Sequence, residues 1–99
     1  MKLKGVFQVY KNNDDTLIQN LDGRLLDDLS INDELFVCKD PIGGIIISTD
    51  ENELIKTNII EIVSYCRVWN RLSKGMSARI KCKCSKKIRE NEVIFKVYV

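Results

Sequence analysis

The sequence predicts an all-β fold, a small closed or nearly closed antiparallel barrel of six to eight short strands. Three observations carry the architecture. Apolar runs rich in Ile, Val, Tyr and Phe recur along the whole chain, and such residues suit a pleated, half-buried surface. Turn signals interrupt these runs at short intervals, as in Asn12-Asn13-Asp14-Asp15, Asp27-Asp28, Pro41 with Gly43-Gly44, and Gly75. Apolar and polar residues alternate with period two through residues 76–84 and 92–99. Runs this short, so often turned, fit antiparallel barrels and sandwiches.

The strands are expected at residues 4–11, 16–19, 23–26, 34–39, 44–48, 59–69, 76–84 and 92–98. In the sixth, Ser48 and Glu51 have the spacing of a capping box, and Leu54, Ile55, Ile59, Ile62, Val63 and Cys66 fit a helical stripe, so a helix over 51–66 competes. The density of β-branched residues between 57 and 68 favours strand, because branching at Cβ restricts helical rotamers. In the seventh, Met76, Ala78, Ile80, Cys82 and Cys84 point inward, and Ser77, Arg79, Lys81 and Lys83 outward. In the last, Val93, Phe95, Val97 and Val99 share one face, and Ile94 and Tyr98 on the other suggest that it is partly covered too.

The 99 residues, 44% hydrophobic and 30% charged, make one domain, 1–99, with a modest core. The apolar runs are too short to span a membrane, and the first ten residues hold no sustained apolar segment, so a cytoplasmic location is expected. The net charge of +2 hides an asymmetry: residues 12–61 carry twelve acids against three bases, and residues 62–99 ten bases against two acids. These halves either make a dipole or interleave in the fold and neutralise each other.

The chain has no His, which removes the usual activator of a Ser or Cys nucleophile. A zinc site would need Cys38, Cys66, Cys82 and Cys84, whose spacings contain no Cys-x-x-Cys knuckle. Cys82 and Cys84 instead read as small buried hydrophobes, too far apart on one strand face to form a disulfide. No phosphate-cradling glycine loop is present; Gly43-Gly44 reads as a turn, and Asp14-Asp15 and Asp27-Asp28 as solvated loop acids. A non-enzyme without cofactor or metal is expected. The surface most suggestive of a ligand is the basic run Arg79, Lys81, Lys83, Lys86, Lys87 and Arg89, with Trp69 and Tyr65 as stacking platforms; charge that protects a solvent face is the plainer reading.

The order Gly5-Val-Phe-Gln-Val, Gly23-Arg-Leu-Leu, Ile31-Asn-Asp-Glu-Leu-Phe-Val, Ile59-Ile-Glu-Ile-Val-Ser-Tyr, Gly75-Met-Ser-Ala-Arg-Ile and Ile88-Arg-Glu-Asn-Glu-Val-Ile resembles the second, β-barrel domain of translational GTPases of the elongation factor Tu type. The likeness covers residues 5–97. Where that family has Gly-Asp hairpins, this chain has Asn32-Asp33 and Asn91-Glu92, and Asn is the non-glycine residue that best tolerates positive φ. The Asn12-Asn13-Asp14-Asp15 turn is foreign to the pattern. The resemblance implies a standalone barrel without catalytic residues, a binding module for RNA, the ribosome or a GTPase partner. The alternative is a small protein-binding module, an inhibitor, immunity or adaptor protein that uses the barrel as a rigid scaffold.

Overall fold

The computed structural model describes residues 1–13, 16–41 and 44–98; Asp14-Asp15, Gly43 and Val99 of the sequence analysis lie outside them. Its strands are β1 (Lys2–Asn12), β2 (Ile18–Leu25), β3 (Leu29–Ser30), β4 (Leu35–Cys38), β5 (Ile46–Ser48), β6 (Leu54–Ser64), β7 (Arg67–Trp69), β8 (Arg71–Leu72), β9 (Ser77–Lys83) and β10 (Val93–Val97). The competing helix shrinks to one 3-10 turn, Glu51–Glu53, and the β-branched run takes the strand form. No described helix is long and apolar enough to cross a membrane.

Six antiparallel strands close a barrel in the order β1-β2-β9-β6-β4-β10, with β10 returning to β1. Strand β5 extends the sheet beyond β1, β7 pairs with the end of β6, and β3 pairs with β8 apart from the barrel. Inward parity on β9 places Ala78, Ile80 and Cys82 in the core, with Cys84 buried just beyond the strand. They meet Phe7, Val9, Leu21, Leu25, Leu35, Ile62 and Ile94.

A second apolar cluster, Leu3, Phe36, Cys38, Ile47 and Phe95, lies on the opposite sheet face beneath β5. The register slip between Gly5 and Phe7 produces it. One extra residue on β1 reverses which side chains point inward, so Leu3 joins the second cluster and Phe7 the barrel interior. The same division explains why all four residues of β4 and both Ile94 and Phe95 of β10 are buried, as two covered faces on the last strand require.

Three sequence boundaries move. The stretches at 16–19 and 23–26 are one strand, with Gly23 in its interior rather than at its start. A Cβ there would stand 2.0 Å from the Gln8 carbonyl oxygen and 2.7 Å from the Phe7 ring, so only glycine lets the barrel close around Phe7. The expected strand at 59–69 starts at Leu54 and is broken by a two-residue turn at Tyr65 and Cys66. Both have positive φ, 51° and 59°, the geometry that hairpin twist demands but that side chains resist.

The two asparagine turns share one device. Asp33 accepts the Ser30 N–H at 2.9 Å, Glu92 accepts the Arg89 N–H at 2.6 Å, and each acid's own N–H returns to the carbonyl three residues back. Asn91 takes positive φ, 70°, whereas Asn32 does not. Asn91→Gly is therefore expected to leave stability equal or slightly higher, and Asn91→Ala to cost about 1 kcal/mol, in urea unfolding of the two variants.

Candidate functional site

The basic run begins on the outer face of β9, and its neighbours decide its charge. Arg79 lies opposite Asp22 of β2, and its Nε donates to the Asp22 carboxylate at 2.8 Å. That bond, with a further one from Asn13, holds the Asp22 carboxyl below the usual Asp range against the opposing pull of burial. Lys81 is flanked by Asn20 and Glu61, and Lys83 by Ile18 and Asn58. Positive charge on β9 thus grows from Arg79, which is matched, to Lys83, which has no acid beside it in register.

Beyond β9 the chain turns across the end of the barrel through residues 84–92. Gln19, fully buried on the inward face of β2, holds this loop. Its Nε2 donates to the carbonyls of Cys84 (3.3 Å) and Lys86 (2.8 Å), and its Oε1 accepts from Ile88 N and Asn12 Nδ2, both at 2.9 Å. Asn12 also donates to the Ile88 carbonyl at 2.7 Å. Side chains here do for the loop what a neighbouring strand does elsewhere. Sequence parity offered the signal: Gln19 lies in phase with Leu21, Gly23 and Leu25, a polar residue at a core position.

Lys86 is the loop's internal tie. Its ammonium pairs with the buried Glu92 carboxylate and donates to the Cys38 carbonyl at 2.8 Å. With side chains only 18% and 6% exposed, this pair is structural, and Lys86 contributes little free charge to a ligand. Lys87 and Arg89 stand on the exposed side of the loop. Lys39, which the sequence reading did not single out, comes beside them at the end of β4.

The aromatic candidates separate. Trp69 is fixed within the hairpin, its Nε1 donating to the Ser64 carbonyl at 2.8 Å while Arg67 covers its ring at 5.1 Å. Tyr65, at the strained turn, is 77% exposed. It faces Tyr10, the extra residue in a second β1 bulge, across an open groove of about 450 Å³ whose walls include Val63, Ala78 and Arg79. The groove lies at the start of β9 and the basic loop past its end, separated by ~20 Å of extended strand.

Elsewhere the acidic and basic halves interleave. Asp27, read from sequence as a solvated acid, is clamped by Lys4 (3.1 Å) and Lys96 (3.3 Å), while Asp28 accepts the Lys74 N–H. Burial works against the ionised Asp27, but the Asp28 N–H and the two lysines outweigh it and lower its pKa. No group of three or more potential metal-ligating residues occurs among the described residues.

Of the four cysteines, Cys38, Cys82 and Cys84 are buried and Cys66 is exposed. Burial pushes the Cys82 thiol up to about 11, with a hydrogen bond from Thr57 acting in the other direction and Cys84 adding to the rise. Titration with a thiol reagent at neutral pH is expected to modify Cys66 alone in the native protein and the other three only in denaturant. For the loop anchor, Gln19→Leu should cost about 2–3 kcal/mol in urea unfolding, because it strands two carbonyls and the Ile88 N–H, and should speed hydrogen exchange at Ile88.

Comparison of the chain with protein-family models, with curated protein sequences and with solved structures yields no match in any of the three.

Proposed function

We propose that the protein is a non-enzymatic RNA-binding module built on a barrel of the translation-factor type. The observation that carries this reading is the basic path along β9 and the following loop. From Lys81 and Lys83 it runs into Lys87 and Arg89, with Lys83 free of acidic cross-strand neighbours. A chain of phosphates is the ligand whose charge spacing follows such a path. The barrel supports it with the closed architecture that the elongation-factor resemblance implies.

The Tyr65 turn adds a second support. Hairpin turns of this geometry favour Asn-Gly, and here the positions hold Tyr and Cys at a conformational cost. Exposed as it is, Tyr65 gains little from the core in return, so its ring is available to stack a base beside Tyr10. RNA crossing from that groove to the basic loop would span ~20 Å, the reach of a few nucleotides.

The same groove favours a second reading, a protein partner that inserts an apolar side chain between Tyr10 and Tyr65, with the open edge of β7 nearby. Salt dependence separates the two. Affinity for a short single-stranded RNA is expected to fall steeply with salt, and Lys83→Glu with Lys87→Glu to flatten the slope by roughly one unit per lost contact. Tyr65→Ala should weaken binding by roughly 1–3 kcal/mol without changing the slope. A salt-independent partner captured after nuclease treatment, lost on Tyr65→Ala and indifferent to the lysines, overturns the RNA reading in favour of the protein-binding one.

A further inference from the structure

We propose that Lys39, Lys86, Lys87 and Arg89 form a pocket for a single phosphate group, either on an RNA backbone or on a free phosphate-bearing ligand. Its assignment to an RNA phosphate rests on the RNA reading above. The pocket lies between the loop that follows β4 and the loop that follows β9, and has a volume of about 280 Å³. That is just below the roughly 300–1,000 Å³ typical of sites for drug-sized molecules and suits a small anion.

The backbone under the cations is held in place. Lys39 N–H donates to the Glu53 carbonyl at 2.8 Å, Arg89 N–H to the Glu92 carboxylate at 2.6 Å, and the Lys86 ammonium ties its loop to the Cys38 carbonyl at the end of β4. By contrast, the side-chain heads of Lys39 and Arg89 make no hydrogen bond or ion pair among the described residues. Among the described residues that line this small pocket, Asp40 is the one carboxylate, set against the unbonded heads of Lys39 and Arg89. Glu92 answers the charge of Lys86, and Lys39 with Arg89 still outnumber Asp40 at the mouth. Like charges gathered this closely repel, and a bound oxyanion relieves the repulsion while Arg89 offers a paired donor fork.

Lys87 and Arg89 also form a wall of a neighbouring groove of about 530 Å³, lined as well by Asn12, Ile88 and Glu90. A nucleic-acid chain gripped at the pocket therefore has an open path toward the end of β1. The amide that fixes this wall, Ile88 N–H, is the one bonded to Gln19, so the site is built on the barrel rather than on a loose loop.

The test is a titration of the isotope-labelled full chain with inorganic phosphate, followed by amide shifts, with chloride at matched ionic strength as reference. Saturable shifts at Lys39, Asp40 and Arg89 are expected. Lys39→Gln and Arg89→Gln should each weaken phosphate at least roughly threefold, and Asp40→Asn should tighten it by a similar factor. Lys56→Gln, remote and paired with Glu34, should change nothing. Shifts no larger than those of chloride, or shifts indifferent to Lys39→Gln and Arg89→Gln, overturn the pocket even if RNA still binds through Lys83. If Lys39→Gln weakens both phosphate and single-stranded RNA, the pocket holds a backbone phosphate. If it weakens phosphate alone, the pocket stands and its ligand is a free phosphate compound, while the RNA reading loses this contact. All of these variants change exposed side chains, and unaltered unfolding curves confirm that each is folded.

Discussion

The structure depends on β1 serving as a shared seam. One of its edges pairs with β10, which closes the barrel, and the other pairs first with β5 and then with β2. A single strand can do this only if it bends and changes the side it presents, and the bulges at Val6 and Tyr10 supply both. The first separates the barrel interior from the small cluster under β5. The second turns Tyr10 outward to face Tyr65. Core division and surface groove therefore have a common origin in two extra residues.

Charge is distributed by the same topology. Because β9 lies between β2 and β6, part of the basic C-terminal half is placed among strands from the acidic half, and Arg79 and Lys96 find counter-charges there in Asp22 and Asp27. What escapes neutralisation among the described residues includes Lys83, which has no acid beside it in register, and Arg89 in the loop beyond. An exposed pair such as Arg79 with Asp22 adds little stability, so its clearer consequence is electrostatic: it removes that end of the ridge from contention as a phosphate grip.

The barrel was legible in the sequence because period-two alternation and β-branched density are local, additive signals. Inward Cys82 and Cys84 and the burial of both Ile94 and Phe95 on β10 follow from them. The features that escaped are non-local or lack a residue-type signal. Nothing in Tyr65-Cys66 announces a turn, since the usual Asn or Gly is missing. The bulge at Val6 has no composition of its own. Gln19 could be read only by noticing a polar residue in core phase, and Lys39 joins the basic loop through contacts nearly fifty positions apart in the chain, such as Lys86 with the Cys38 carbonyl.

The two turns at Asn32-Asp33 and Asn91-Glu92 use one device in two different settings. In both, an acid three residues on accepts the N–H that opens the turn, so the carboxylate is the constant element while the backbone of the preceding Asn varies. Residue 91 keeps the positive φ that glycine would supply, and residue 32 does without it. The two turns then feed β4 and β10, which pair directly through Phe36 and Phe95. Equivalent devices thus start two adjacent strands of the barrel, yet only one of them encloses a lysine. Glu92 is buried where Asp33 is half-buried, and that added burial calls for a cation, which Lys86 provides. The requirement of one turn for a counter-charge is what draws the basic loop against the end of β4 and places Lys39 and Arg89 on either side of the same pocket.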